Sequence, residues 1–144
     1  MTSIGQSLFY NCRSLARVEI PSSVTSIGAS AFYNCPSLAS ITIPSDTTSI
    51  GGNAFYYCYS LAKVTVPSGV ENIYINTFGY CYNVAEYHFQ SENPPELWAT
   101  NAFYNISSDC IIYVPYSEDH SILNSYKTAT NWTTYASKIQ EEPQ

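Results

Sequence analysis

The chain has 144 residues, 45% of them hydrophobic, which is enough for one domain with a buried core. Only 11% are charged, and the net charge of −6 comes with five scattered bases, Arg13, Arg17, Lys63, Lys127 and Lys138, so there is no basic patch to hold nucleic acid. No apolar run approaches the roughly 18 residues of a membrane span, no signal peptide is visible, and Met1-Thr2 opens directly inside a repeat, as expected of a piece of a longer protein.

The first element, SIGQSLFYNCRSLARVEIPS, starts at Ser3; SIGASAFYNCPSLASITIPS starts at Ser26 and SIGGNAFYYCYSLAKVTVPS at Ser49. A fourth copy follows at once. Ile4, Ile27, Ile50 and Ile73 are each 23 apart, as are Phe9, Phe32, Phe55 and Phe78, and Cys12, Cys35, Cys58 and Cys81. Leu15, Leu38, Leu61 and Val84 keep the step, and so do the columns Val18, Ile41, Val64, Tyr87 and Ile20, Ile43, Val66, Phe89. LARVEI, LASITI, LAKVTV and VAEYHF read as short strands with alternating pattern. Pro21, Pro44 and Pro67 stop three of them, because proline has no N–H to continue a ladder. Gly5, Gly28 and Gly51 are expected to turn the chain into a short helical turn, ASAFYNC in the second copy. A unit this short cannot bury its own apolar face; stacked copies bury it together, strand beside strand at about 4.8 Å.

A fifth unit follows an insertion of two residues near Asn93-Pro94-Pro95. In its frame Trp98 takes the Ile column, Phe103 the Phe column, Ile106 the Cys column, Asp109 the Leu column, and Ile112 and Val114 the strand columns. In the tail, Trp132, Tyr135, Ala136 and Ile139 form a helical stripe, with a weaker one at Ile122, Tyr126 and Ala129. The last repeat of a stack needs a cap over its core end, so residues 116–144 read as a helical cap on a solenoid spanning 1–115, both in one domain, with a disordered end.

The set Ile27-Gly28, Ala31-Phe32, Cys35, Leu38, Ile41 and Ile43-Pro44, with its copies from Ser3 to Pro115, resembles the BspA-like leucine-rich repeat of bacterial proteins. The tail resembles the ending of such proteins from host-associated bacteria. The resemblance implies a right-handed solenoid with a parallel sheet on the concave face and short helical turns on the convex face. It also implies a cell-surface or secreted location and adhesion to host or bacterial surfaces, often through matrix proteins.

Each candidate for chemistry has a plainer reading beside it. Cys12, Cys35, Cys58 and Cys81 fill a core column that accepts Ile106, so they read as small packing residues. Cys110 lies off the column and is the more plausible reactive thiol. Zinc is disfavoured, since there is no C-x-x-C pair and only His88 and His120 could assist. Asp119-His120-Ser121 carries three suggestive residue types, but adjacency does not make a triad. Glu86 and His88 share one face of a strand and could do acid–base work; the simpler reading is an exposed pair on a binding surface. No cofactor is implied and the chain reads as non-enzymatic.

Binding is better placed on columns that vary between copies, because core columns must fit their own image. On the strand face these are Arg17, Glu19, Ser40, Thr42, Lys63, Thr65, Glu86, His88 and Tyr113. Lys63 and Glu86 are expected to pair across strands. On the opposite side, Tyr56, Tyr57, Tyr59, Tyr80 and Tyr82 form a secondary aromatic surface suited to a protein or sugar, although tyrosine can equally pack between turns. Three readings follow: an adhesion module whose partner is an extracellular protein or a glycan, a structural spacer in a larger surface protein, and, least of all, an enzyme. The oligomeric state is left open.

Overall fold

The 23-residue step becomes one turn of a coil. The structure, a computed structural model, describes residues 1–144. Its short strands fall into two parallel ladders. One joins β1 (Ser3–Ile4), β2 (Ser26–Ile27), β3 (Ser49–Ile50), β5 (Asn72–Ile73) and β7 (Glu96–Leu97). The other joins β4 (Lys63–Val66), β6 (Glu86–Phe89), β8 (Ile111–Val114) and β9 (Ile139–Glu141).

The first ladder uses the Ile column, which the sequence reading left outside any strand. Its register sets Ile4 beside Ile27, Ile50, Ile73 and then Leu97. The glycines after this column permit close approach; none adopts a positive φ. A Cβ at Gly28 would stand 2.6 Å from the Gln6 backbone nitrogen, and one at Gly51 would stand 2.4 Å from that of Ala29. The column's fifth member corrects the expected frame. Leu97, not Trp98, occupies it, because the insertion is split, one residue before β7 and one after it. Leu97 is buried, while Trp98 is 59% exposed, lies against Tyr74 at 4.9 Å, and donates its indole N–H to Asn72 Oδ1 at 3.0 Å.

The second ladder keeps the predicted strand columns, but it starts only at the third unit. LARVEI and LASITI keep the alternation of inward and outward residues, yet one backbone bond joins them, from Ala39 N–H to the Ala16 carbonyl at 3.2 Å. Their pattern matches that of LAKVTV, so the difference is not local. The ladder is continuous from β9 at the cap to β4 and ends there.

The opposite side is built of chained tight turns where short helical turns were expected. In the second unit Ala31 N–H donates to the Gly28 carbonyl and Tyr33 N–H to that of Ser30. The intervening N–H groups of Ser30, Phe32 and Asn34 donate instead to Gly52, Ala54 and Tyr56 in the next unit. Half of the donors therefore bind between units, which an α-helix does not allow. The chained turns also require left-handed backbone, found at Ser7, Ser30, Asn53 and Asn76 and again at Asn11, Asn34, Tyr57, Tyr80 and Asn105. Asparagine tolerates that region better than most residues.

Inside, Phe9, Phe32, Phe55, Phe78 and Phe103 stack face to face at 5.1–5.6 Å. The cysteine column has a second role beside packing. The thiol of Cys35 donates to the Phe9 carbonyl at 3.1 Å, Cys58 to Phe32 at 3.1 Å, and Cys81 to Phe55 at 3.2 Å. Each thiol thus satisfies a carbonyl of the preceding turn.

The tail is a last turn of the coil. Helix α1 (Ser121–Thr128) and a 3₁₀ segment (Trp132–Lys138) lead into β9, which pairs with β8 in register Ile112–Ile139. The chain end expected to be disordered is therefore a strand up to Glu141. Trp132 is buried against Phe89, Phe103 and Tyr126. The cap's polar tips take up carbonyls of the fifth unit: Trp132 Nε1 donates to Pro95 at 2.7 Å, Tyr126 Oη to Ser91 at 2.8 Å, and Asn131 Nδ2 to Leu97 at 2.7 Å. No helix is long and apolar enough to cross a membrane.

Candidate functional site

The variable residues of the strand face fall into two groups. Lys63, Glu86 and Ile111 lie side by side on β4, β6 and β8, and Thr65, His88, Tyr113 and Gln140 form the next row. The expected cross-strand pair is present, with Lys63 Nζ 3.7 Å from Glu86 Oε2. His88 Nε2 lies 2.9 Å from the same carboxylate oxygen, its ring stacks on Tyr113 at 4.9 Å, and its Nδ1 is hydrogen-bonded to Glu142. The hydrogen bond from His88 holds the Glu86 carboxyl below its usual range, with help from Lys63.

His88 is thus a clamped residue rather than an exposed one; its side chain is only 14% accessible. The reading of Glu86 and His88 as an open pair missed Glu142, which is 54 residues away in sequence and sits in a tail taken to be disordered. Glu142 reaches His88 because it lies two residues beyond Gln140, on the face of β9 that carries the row of His88 and Tyr113.

The other group is open. Arg17, Glu19, Ser40 and Thr42 surround a cleft of about 500 Å³ between the first two units, with Val18 and Ile20 on its walls. Arg17 and Glu19 pair with each other at 3.1 Å. No backbone hydrogen bond engages 17–20 or 40–43, so their N–H and C=O groups have no ladder partners.

Cys110, the more plausible reactive thiol by sequence, is buried. Burial pushes its thiol up to about 11, against which Lys138 acts weakly in the other direction. Burial likewise lifts Cys35 to about 11 and Cys81 to about 12. All five cysteines are free. Asp119, His120 and Ser121 do not converge on one point. Asp119 Oδ1 accepts the Ser121 N–H at 3.0 Å at the start of α1, and His120 Nδ1 turns away to Glu141 at 2.7 Å.

On the turn face the tyrosines are more numerous than the sequence reading collected. Tyr10, Tyr33 and Tyr56 stack face to face at 4.8 and 5.2 Å, continuing the column before Tyr57. That stack stops at Gly79, where a Cβ would lie 2.7 Å from the Tyr56 ring. Beyond it the rings turn edge-on: Tyr56 to Tyr57 at 4.6 Å, Tyr56 to Tyr80 at 5.2 Å, and Tyr80 to Tyr82 and Tyr104 at 5.7 and 5.3 Å. Tyr59 stacks with Tyr82 at 6.0 Å. Desolvation raises the phenols of Tyr33, Tyr56 and Tyr80, that of Tyr56 to about 12. Tyr104 stands at the same step as Tyr10, Tyr33 and Tyr56, which is the signal that would have included it.

Solved structures resemble this coil. The leucine rich repeat protein of T. pallidum matches with a TM-score of 0.69 and 30% identity over 80% of this chain and 52% of its own. A leucine rich cell surface protein from Faecalibacterium prausnitzii A2-165 matches with a TM-score of 0.58 and 27% identity, over 99% of this chain and 37% of its own. A leucine-rich repeat protein from Bacteroides ovatus gives 0.58 and 25%, over 78% and 30%. The chain therefore spans about half or less of the length of these proteins. No curated protein matches it in sequence. The family model for the BspA type leucine rich repeat region matches residues 2–129 in six copies. With the 23-residue columns, the stacked parallel ladders and this match over most of its length, the chain belongs to the BspA-type leucine-rich repeat family.

Proposed function

We propose that this chain is a non-catalytic protein-binding module of a bacterial cell-surface or secreted protein and that it acts in adhesion. One observation carries the reading: the cleft among Arg17, Glu19, Ser40 and Thr42 offers both charge signs, hydroxyls and unladdered backbone on one open surface. An extended segment of a partner protein can add to such a backbone as a strand, with main-chain bonds giving affinity and flanking side chains giving selectivity. The face continues to Lys63 and Thr65, so a segment lying across it meets a row of variable residues. Location at the cell surface is supported by the likeness to the leucine rich cell surface protein of F. prausnitzii.

Surface plasmon resonance on immobilised extracellular-matrix proteins tests the reading. The wild-type chain should bind at least one of them, and Arg17→Ala combined with Thr42→Pro should weaken that binding about tenfold or more while leaving the far-ultraviolet spectrum unchanged. Thr42 is exposed and its N–H has no partner, so proline removes only a donor that the partner would use. Undiminished binding by the double variant would sink the strand-face assignment.

A further inference from the structure

We infer that the turn face of the third to fifth units is a second binding site, and that its ligand is an uncharged, linear carbohydrate polymer. The site has Tyr57 and Tyr80 at its centre and Tyr59, Tyr82 and Tyr104 around them. It shares no residue with the strand face and is independent of the reading given above.

The first observation is the backbone. Tyr57 and Tyr80 have φ of 60° and 58°, in the left-handed region. The same position is Asn11, Asn34 and Asn105 in the first, second and fifth units. Asparagine suits this conformation, whereas a bulky ring is strained in it. The second unit shows what asparagine contributes there, since Asn34 Nδ2 donates to Asn11 Oδ1 at 2.8 Å. Two adjacent units give up both the fit and the amide contact for a ring that stays partly exposed. Core burial does not explain the exchange: the rings pack only on other surface tyrosines, Tyr57 on Tyr56 and Tyr80 at 4.6 Å, and a bulky residue held in left-handed backbone at a partly exposed position marks a functional one.

The second observation is how the rings are arranged. Along Tyr10, Tyr33 and Tyr56 the faces cover one another, with interplanar angles of 7° and 20°. Past Gly79 the contacts of Tyr80 with Tyr56, Tyr82 and Tyr104 are edge-on, at 78°, 89° and 67°, and only Tyr57 leans over it, at 4.6 Å and 38°. A ring met by an edge keeps more of its face free than a stacked one does. The exposed rings Tyr59, Tyr82 and Tyr104 belong to consecutive units and so recur along the coil axis. A linear polysaccharide presents apolar sugar faces at a regular step, with hydroxyls at their rims to meet phenol and amide groups.

The third observation is charge. The protein carries a net charge of −6, yet residues 28–37, 51–60, 74–83 and 99–108 contain no charged side chain at all. Lys138, which approaches this side from the cap, is held by the carbonyls of Ser107 and Ser108 at 3.0 and 2.7 Å. Protein-binding surfaces favour complementary charge around an aromatic centre, and the strand face of this chain has such charges. A surface of rings, hydroxyls and amides without charge fits a neutral sugar chain better than a protein or an anionic glycan.

Affinity gel electrophoresis with soluble neutral polysaccharides in the gel (laminarin, mannan and xyloglucan) and with heparin as the anionic control tests the proposal. At least one neutral polymer should retard the wild-type chain, and heparin should not. The decisive variant is Tyr57→Asn/Tyr80→Asn, which restores the residue found in the other units. It should raise Tm by several degrees as the strain is released, and lose the retardation by about tenfold or more in apparent affinity. A fall in Tm would mean that the rings are packing residues, and the site would be withdrawn. Retention of neutral-polymer binding by this variant would also overturn the proposal, as would a wild-type chain bound only by heparin or by the matrix proteins.

Discussion

The two ends of the coil are made of the same columns and are held very differently. At the cap end, Phe103 is stacked on Phe78 and roofed by Trp132 and Tyr135, β8 is paired on both sides, and the carbonyls of Ser91, Pro95 and Leu97 each have a donor from the tail. In the first unit Phe9, Cys12, Leu15, Val18 and Ile20 are only half buried, and their strand segment has no ladder. What separates the ends is therefore neighbours, since the residue types agree. A unit here has little stability of its own and takes it from the units on either side.

The largest expected effect breaks the better-held end. Trp132→Ala removes a fully buried ring and leaves the Pro95 carbonyl without its donor. It should cost about 3–5 kcal/mol in urea unfolding. A loss below about 1 kcal/mol would mean that the tail is laid on the coil without supporting it.

Next comes a direct comparison within one column. Phe55 lies between Phe32 and Phe78 and is fully buried, whereas Phe9 touches one ring of the column, Phe32, and is half buried. Phe55→Ala should cost about 3–5 kcal/mol and Phe9→Ala about half of that or less. Equal losses would show that the column is a row of independent contacts and not a stack whose members support one another.

How much of this was legible in the sequence depends on the kind of contact. Columns that touch their own image, such as Ile27, Phe32, Cys35 and Leu38, were legible because identical surroundings repeat the same requirement at each step. The Ser-Ile ladder was hidden, since a strand of two residues has no alternation to detect. Its placement rests on Gly28 and Gly51 letting backbones approach, which sequence shows only as a turn residue. The split insertion around β7 misled the frame by one position, enough to put Trp98 where Leu97 belongs. The candidate site suffered most where the partner came from outside the repeat. His88 looked exposed because Glu142 belongs to a tail with no periodicity to align it, and Cys110 looked reactive because being off the cysteine column was mistaken for being outside the core.

The smallest expected effect contrasts the ends through their thiols. Cys12 is half buried, while Cys35, Cys58, Cys81 and Cys110 are buried. At neutral pH a thiol reagent should label Cys12 first and reach the other four only on unfolding. The buried thiols also set an alkaline limit. In the unfolded chain a thiol ionises near its ordinary value of 9.0, but burial holds Cys81 up to about 12 and Cys35 and Cys110 up to about 11. The folded state thus keeps protons that the unfolded state releases, and stability falls as pH rises between these limits. It should be complete below about pH 9 and decline up to about pH 11–12, with each buried thiol contributing about 1–2 kcal/mol of loss by pH 10.5. Cys81→Ala lowers stability at pH 7, because a buried thiol is lost and the Phe55 carbonyl keeps only the Cys58 N–H as donor, yet its urea midpoint should fall less between pH 8 and pH 10.5 than that of the parent chain. Cys12 is only half buried, so Cys12→Ala should flatten that slope less than Cys81→Ala does. If both variants flattened the slope equally, the first unit would be as closed to solvent as the fourth, and the contrast between the two ends would fail.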